Sequence, residues 1–235
     1  MKFGITQSFS CSYLANEQEQ LLVYADTQAL QAQRYAQLIQ AGFRRSGGQI
    51  YRPHCPTCKA CQSVRLLVNE FTPSRSQKRV LKKNQHFTVK FVSNAKQDYF
   101  RLYERYITKR HADGSMYPPS QEQFDNFVQC EWMDTYFLEA YDGDTLIAVA
   151  VTDVLNSAEQ PGALSALYTF FDPDYESASL GTWMILKQIQ EAQVHSFPYL
   201  YLGYYVEGCN KMSYKHNFYP FEEFVNNQWQ RISSK

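Results

Sequence analysis

Between Tyr136 and Val206 the sequence commits to an order of elements that few folds accept. "YFLEAYDGDTLIAVAVTDVL" is two apolar runs about Asp142 and Gly143, a hairpin signal. "SALYTFF" then reads as a strand, "SLGTWMILKQIQEAQ" as a helix and "YLYLGYYV" as another strand. A hairpin followed by strand, loop, helix and strand predicts an α/β (α+β) fold, a sheet with helices laid on it.

The first half reads as irregular and then helical. Asp26 caps a helix through "TQALQAQRYAQLIQA", with Leu30, Leu38 and Ile39 near one face and Gly42 at its end. "RRSGGQIYRPHCPTC" reads as a loop and "SVRLLV" as a strand, and Pro73 with Ser74 opens a helix to about Gln85. "KQDYFRLYERYITKRH" is a third helix, with Tyr99, Tyr103, Tyr106 and Arg110 at helical intervals, and "QEQFDNFVQ" a short fourth.

Composition excludes some partners. The formal net charge is zero, so a polyanion must be held by a local patch and not by global attraction. The start "MKFGITQSFSCSYL" lacks a signal-peptide pattern and no 18-residue apolar run occurs, so a soluble, cytoplasmic protein with no membrane partner is expected.

Three stretches carry chemistry. In "YRPHCPTCKACQSVRL", Cys55, Cys58 and Cys61 repeat every third position, as thiolate ligands of zinc or an iron–sulfur centre do. The ferredoxin run would place its fourth Cys at Arg65, so the missing donor is Cys11, Cys209, Cys130 or His54, or the thiols are leftovers of an ancestral site. In "PSRSQKRVLKKN", Arg75, Lys78, Arg79, Lys82 and Lys83 fall on one helical face with no acid among them, which suits a phosphate backbone better than an ordinary solvated face. In "LYTFFDPDYESASLGTW", Ser179 and Gly181 precede a helix whose first N–H groups suit an anion or oxyanion; an ordinary helix cap is the competing reading.

Taken together, "AGFRRSG", "YRPHCPTCKACQSVRL", "FTPSRSQKR", "FFDPD", "SLGTW", "YLYLGYYV" and "CNKMSYK" resemble, in order and spacing, the arginyltransferase family, which moves an amino acid from aminoacyl-tRNA onto protein N-termini. The likeness runs from about Cys11 to Trp229. The compact length and the C-x2-C-x2-C form resemble the bacterial branch, in which leucyl-tRNA is the donor, proteins beginning with Asp or Glu are the acceptors, and the added leucine marks them for degradation by the N-end rule. Eukaryotic relatives carry Cys-x2-Cys near the N-terminus; here Cys11 matches the first position and Leu14 departs at the second.

The resemblance implies a GNAT-type acyltransferase domain over 71–235 behind a cysteine-containing region over 1–70. It implies no cofactor for the chemistry itself, with a structural or regulatory zinc or iron–sulfur centre as the open question at Cys11, Cys55, Cys58 and Cys61. An aminoacyl ester is already activated, so the site supplies position, oxyanion donors and a proton acceptor. Asp172 is the expected carboxylate for the proton, and the backbone at Leu180 and Gly181 the oxyanion donors. Tyr168, Tyr204 and Tyr205 are expected to line the aminoacyl pocket. A cation must meet the acceptor's acidic side chain: Arg44 and Arg45 lead, with Lys211 and Lys215 behind them. Arg75, Lys78, Arg79, Lys82 and Lys83 are the expected tRNA contacts. The rival readings are an arginine donor on the same acceptors, an acetyl-CoA-dependent acetyltransferase, and a non-catalytic RNA-binding or redox-sensing module.

Overall fold

The computed structural model describes residues 1–26, 31–114, 116–156 and 161–234. Its largest element is an eight-stranded sheet whose interior strand β10 explains the layering. The elements in chain order are β1 (Phe3–Ile5), β2 (Phe9–Ser10), β3 (Gln18–Glu19), β4 (Leu21–Tyr24), α1 (Gln31–Gln40), β5 (Arg44–Ser46), β6 (Gln49–Pro53), β7 (Cys61–Leu67), α2 (Arg75–Lys83), β8 (Thr88–Val92), α3 (Tyr99–Arg110), α4 (Gln121–Val128), β9 (Thr135–Asp142), β10 (Thr145–Leu155), β11 (Ala163–Phe171), α5 (Leu180–Val194), β12 (Tyr199–Val206), β13 (Phe221–Val225) and β14 (Gln228–Ile232). Short 3-10 segments cover Pro173–Ala178 and Asn210–Asn217.

The large sheet runs β14-β13-β7-β12-β11-β10-β9-β8. In β10, Val149 and Val151 pack with α3 and α4 through Tyr99, Tyr103 and Phe124, while Ala148 and Ala150 pack with Trp183 and Met184 of α5. Successive side chains point to opposite faces, so a strand covered on both sides reads as the unbroken apolar run "LIAVAV". The alanines leave room for the bulk of Trp183. The mixed α/β sheet expected from the sequence is what forms, with the strand, loop, helix and strand in the expected order.

The helix that the sequence places after Ser74 carries its cap: Ser74 Oγ accepts from Gln77 N at 3.4 Å while the Gln77 side chain accepts from Ser74 N at 2.8 Å. Helix α1 buries Leu38 and Ile39 as expected; Leu30 lies outside the described residues.

The first 53 residues correct the irregular reading. They build a second sheet, β1-β4-β6-β5, and the stretch expected to be a loop is the β5–β6 hairpin, turning on Gly47 and Gly48. The turn tolerates glycine alone at Gly47, where φ is +54° and a Cβ would meet Asn126 O at 2.0 Å. These strands escape a periodicity argument because β1 is exposed throughout and β5 buries two arginines in succession. The two sheets share one core, in which Tyr35, Leu38, Ile39, Phe43 and Ile50 meet Leu155, Ala163 and Tyr201. Strand β7, which the sequence groups with the N-terminal region, lies inside the large sheet between β12 and β13.

Candidate functional site

Strands β11 and β12 are neighbours in the sheet and run parallel, but their pairing covers only Ala163–Ser165 against Tyr199–Tyr201. Beyond Ser165 and Tyr201 the two strands continue to Phe171 and Val206 without pairing, and Arg44 enters where the pairing stops. Its Nη2 donates to Ala166 O of β11 at 2.7 Å. On the other side it passes Gly203 of β12, where a Cβ would sit 3.5 Å from Nη2 and where φ is +81°. The positive φ favours glycine here, and a side chain at this position would lie in contact with the guanidinium.

Arg44 is 4% exposed, and its Nη1 is buried with no hydrogen-bond partner. Lys215, also 4% exposed, lies within electrostatic range of it and donates from Nζ to the carbonyl of Tyr204, the residue after Gly203. Among the described residues no carboxylate pairs with Arg44 or Lys215. Burial first, and the Arg44 charge second, push the Lys215 ammonium down to about 7. A buried cation without a carboxylate partner is costly, so the unpartnered Arg44 Nη1 is a feature that packing alone does not account for.

Arg45, next in sequence, points the other way along β5 and is fully committed. It grips Asp153 of β10 through Nε at 2.7 Å and through Nη2, and also donates to Gly47 O at 3.0 Å and Thr135 Oγ1 at 2.8 Å. Lys211 pairs with Asp113 at the surface at 2.9 Å. Of the four expected acceptor cations, the structure therefore brings only Arg44 and Lys215 together.

Tyrosines surround the pair. Tyr204 donates its hydroxyl to Gly42 O at 2.9 Å and lies near Tyr51 and Tyr35; Tyr214 lies within range of Arg44. Tyr168 of β11 packs against Tyr103, Tyr106 and Phe127 and is close to Tyr13 and Tyr214. Lost solvation raises all these phenols, Tyr35 and Tyr214 to about 12, so they stay protonated hydrogen-bond donors, even though Tyr13 and Tyr214 keep part of their surface in solvent. Tyr205 instead turns to the other face, stacked on His216 at 3.7 Å.

The loop after β11 forms a second cluster, about 20 Å along the strand from Ala166 at the usual rise per residue. Asp172 caps the 3-10 segment: Oδ1 accepts from Asp174 N at 3.0 Å and Oδ2 from Arg105 at 2.8 Å. Leu180 is buried and Gly181 half-buried at the start of α5, with Gly181 facing the Phe171 ring. Helix α2 is pinned to this loop, since Lys83 Nζ donates to Ser177 O at 2.7 Å and Asn84 Nδ2 to Ala178 O at 2.8 Å. Arg75, Lys78, Arg79, Lys82 and Lys83 are all exposed, and among the described residues none has an acid partner. The expected anion loop and the expected basic helix are thus one surface.

Cys55 and Cys58 sit in the loop before β7, Cys61 begins that strand, and Cys11 follows β2. The Cys61 thiol is pushed up to about 12, first by burial and then by Cys55, Cys11 and Cys58, so the four draw near one another. Among the described residues, no group of three or more His, Cys, Asp or Glu is placed to hold a metal ion.

The sequence reading missed Asp153, Gly203, Tyr13, Tyr51 and Tyr214. An acid inside the apolar run of β10 is itself a signal of a buried partner, whereas nothing local tells which of 18 tyrosines share a cleft.

Residues 98–225 match the family described as "Arginine-tRNA-protein transferase, C terminus", and residues 9–79 its "N terminus" counterpart. A protein named aspartate/glutamate leucyltransferase from Aeromonas hydrophila is 50% identical over 235 residues, 100% of this chain and 97% of its own. One of the same name from Pseudoalteromonas atlantica is 49% identical over 100% and 99%. Among solved structures, the C-terminal domain of a putative lysylphosphatidylglycerol synthetase from Agrobacterium fabrum covers 63% of this chain and 47% of its own at TM-score 0.45 and 9% identity, too slight a likeness to carry an argument.

Proposed function

The chain belongs to the arginine-tRNA-protein transferase family, and we propose that it transfers leucine from leucyl-tRNA to the α-amino group of proteins that begin with Asp or Glu. It is an aminoacyltransferase. The leucine donor is supported by relatives of the stated name across the whole chain. The acidic acceptor is supported by one observation above others: the buried Arg44 guanidinium with an unpaired Nη1 and no carboxylate to meet it. An Asp or Glu side chain entering between β11 and β12 supplies that carboxylate, and a forked guanidinium is the best protein partner for it.

The reaction follows from placing the two substrates. The tRNA lies along α2, with Arg75, Lys78, Arg79, Lys82 and Lys83 on its phosphates. The first N–H groups of α5, at Leu180 and Gly181, face an anionic oxygen of its acceptor end. The end then runs down the cleft toward Tyr168, where the rings of Tyr103, Tyr106 and Phe127 form an apolar wall for leucine. Asp172, paired with Arg105, holds the loop that positions it. With both substrates fixed, the acceptor amine attacks the ester carbonyl directly. Positioning supplies about 7–11 kcal/mol, and protonated phenols at the cleft supply donors for the oxyanion. No cofactor enters this chemistry. The setting is the cytoplasm, where charged tRNA is found, and the product's N-terminal leucine marks it for degradation by the N-end rule. No helix among the described residues is long and apolar enough to cross a membrane.

The test supplies leucyl-, phenylalanyl- and arginyl-tRNA separately to peptides beginning with Asp, Glu, Arg or Lys. Leucine on the Asp and Glu peptides alone is the expected result. Arginine on those peptides overturns the donor, and leucine on the basic peptides overturns the acceptor.

A further inference from the structure

Transfer requires the acceptor's α-amino group to lose a proton before it attacks, and the acid expected to take it is poorly set. Both oxygens of Asp172 are engaged, and it stands far up β11 from the Arg44 pocket. Near Arg44 the nitrogen and oxygen groups that could take that proton are few. Tyr204 and Tyr51 are held protonated by burial, and lost solvation raises the partly exposed Tyr214 to about 12. That leaves one buried amine.

We propose that Lys215, in its neutral form, is the base that accepts the proton of the acceptor's α-ammonium, an assignment that rests on the acceptor reading just given. The geometry supports it from several elements. Lys215 Nζ is anchored to the Tyr204 carbonyl of β12, and Met212 Sδ lies 3.4 Å away. Facing it are Arg44 from β5, Cys61 from β7 and Cys209 from the turn after β12; the Tyr214 ring, from its own segment, lies 5.6 Å off. Among the described residues no carboxylate pairs with its ammonium form. Its affinity for a proton, near 7, lies within about one unit of an ordinary α-amino group at 7.7–8.0, so transfer between them is nearly balanced. When the acceptor's carboxylate neutralises Arg44, one of the causes holding Lys215 down is removed, and the base strengthens as its substrate arrives.

The step balances as follows. The α-ammonium gives a proton to Lys215 Nζ, and the freed lone pair forms the new C–N bond at the ester carbonyl carbon. The C–O bond to the ribose breaks, and the ribose oxygen leaves with the proton the amine sheds on becoming an amide. Lys215 then returns its proton to solvent.

Lys215→Arg separates this role from simple charge, because arginine keeps a cation that can meet a carboxylate but cannot take a proton. In single-turnover transfer to a Glu-initiated peptide, kcat of Lys215→Arg is expected to fall by about 10²–10⁴-fold with KM for the peptide changed less than about threefold. Lys215→Ala is expected to regain rate in proportion to added methylamine. A Lys215→Arg kcat within about threefold of wild type overturns the assignment, and a rise in KM with kcat unchanged returns Lys215 to carboxylate binding. Absence of any wild-type leucine transfer is a failure of the functional reading instead. The side-chain NMR signal of Lys215, followed from pH 5 to 11, decides the base in that case too: a midpoint at the ordinary lysine value overturns it.

Discussion

Arg44 and Lys215 are both buried, within electrostatic range of each other, where β11 and β12 stop pairing, with no carboxylate of the described residues bonded to either. Under the proposed acceptor reading, replacing Arg44 with Ala removes the forked partner of the acceptor's side chain. The peptide KM for Asp and Glu acceptors is expected to rise by about 10-fold to 100-fold or more, consistent with roughly 1.5–3 kcal/mol for a hydrogen bond to a charged group. Leucyl-tRNA affinity, measured by filter binding, is expected to stay at its wild-type value; a parallel loss of both would place Arg44 in the tRNA surface.

The buried ammonium has a signature in stability. The folded value of Lys215, about 7, lies below its unfolded value of about 10.4, so the unfolded chain binds more protons across that interval and stability rises with pH through it. The cost of burying Lys215 is complete below pH 7 and vanishes above the unfolded value. Lys215→Met is therefore expected to be more stable than wild type at pH 6 in denaturant melts, with that advantage shrinking by a few kcal/mol by pH 10. A constant difference across this range would show that Lys215 keeps an ordinary charge when folded.

Asp153→Ala leaves the Arg45 guanidinium buried and uncompensated at the junction of the two sheets. A loss of about 3–5 kcal/mol in unfolding free energy is expected. Because Arg44 is the next residue on β5, the acceptor KM should rise as well, even where enough folded protein remains to assay.

Neutralising Lys78, Arg79 and Lys82, all exposed and unpaired on α2, should weaken leucyl-tRNA binding and reduce the slope of log K against log salt by about one per residue removed. The KM of the peptide acceptor should not change. An unaltered salt slope would remove α2 from the tRNA surface.

The sequence made some of this legible and hid the rest for identifiable reasons. Helix α2 announced itself through Ser74 and Gln77 and through basic residues at helical spacing, all local signals. The β9–β10 hairpin and the β11–α5–β12 order were equally visible, because turn residues and apolar runs mark them along the chain. Arg44 and Arg45 looked equivalent in "FRRSG", yet alternation on a short strand sends one into an ion pair with Asp153 and the other into the cleft. Side-chain direction on β5 depends on a sheet that the sequence reading took for a loop. The proximity of Lys215 to Arg44 comes from residues about 170 positions apart, a relation set only by tertiary packing.

Strand β7 carries a consequence for how the chain reaches this state. Its two neighbours in the sheet, β12 and β13, are synthesised long after it, near the far end of the chain. Closing so distant a pairing spends loop entropy before any contact repays it, which makes this a topology of high contact order and slow assembly. A nascent chain emerging from the ribosome holds β7 without a partner in the sheet until β12 is free, and with one edge open until residues past Val225 follow. Loss of the last two strands would strip one side of an interior strand and leave its apolar edge open to aggregation. The Arg44 and Lys215 site, proposed to take an acidic N-terminus, is thus completed only when almost the entire protein has been made.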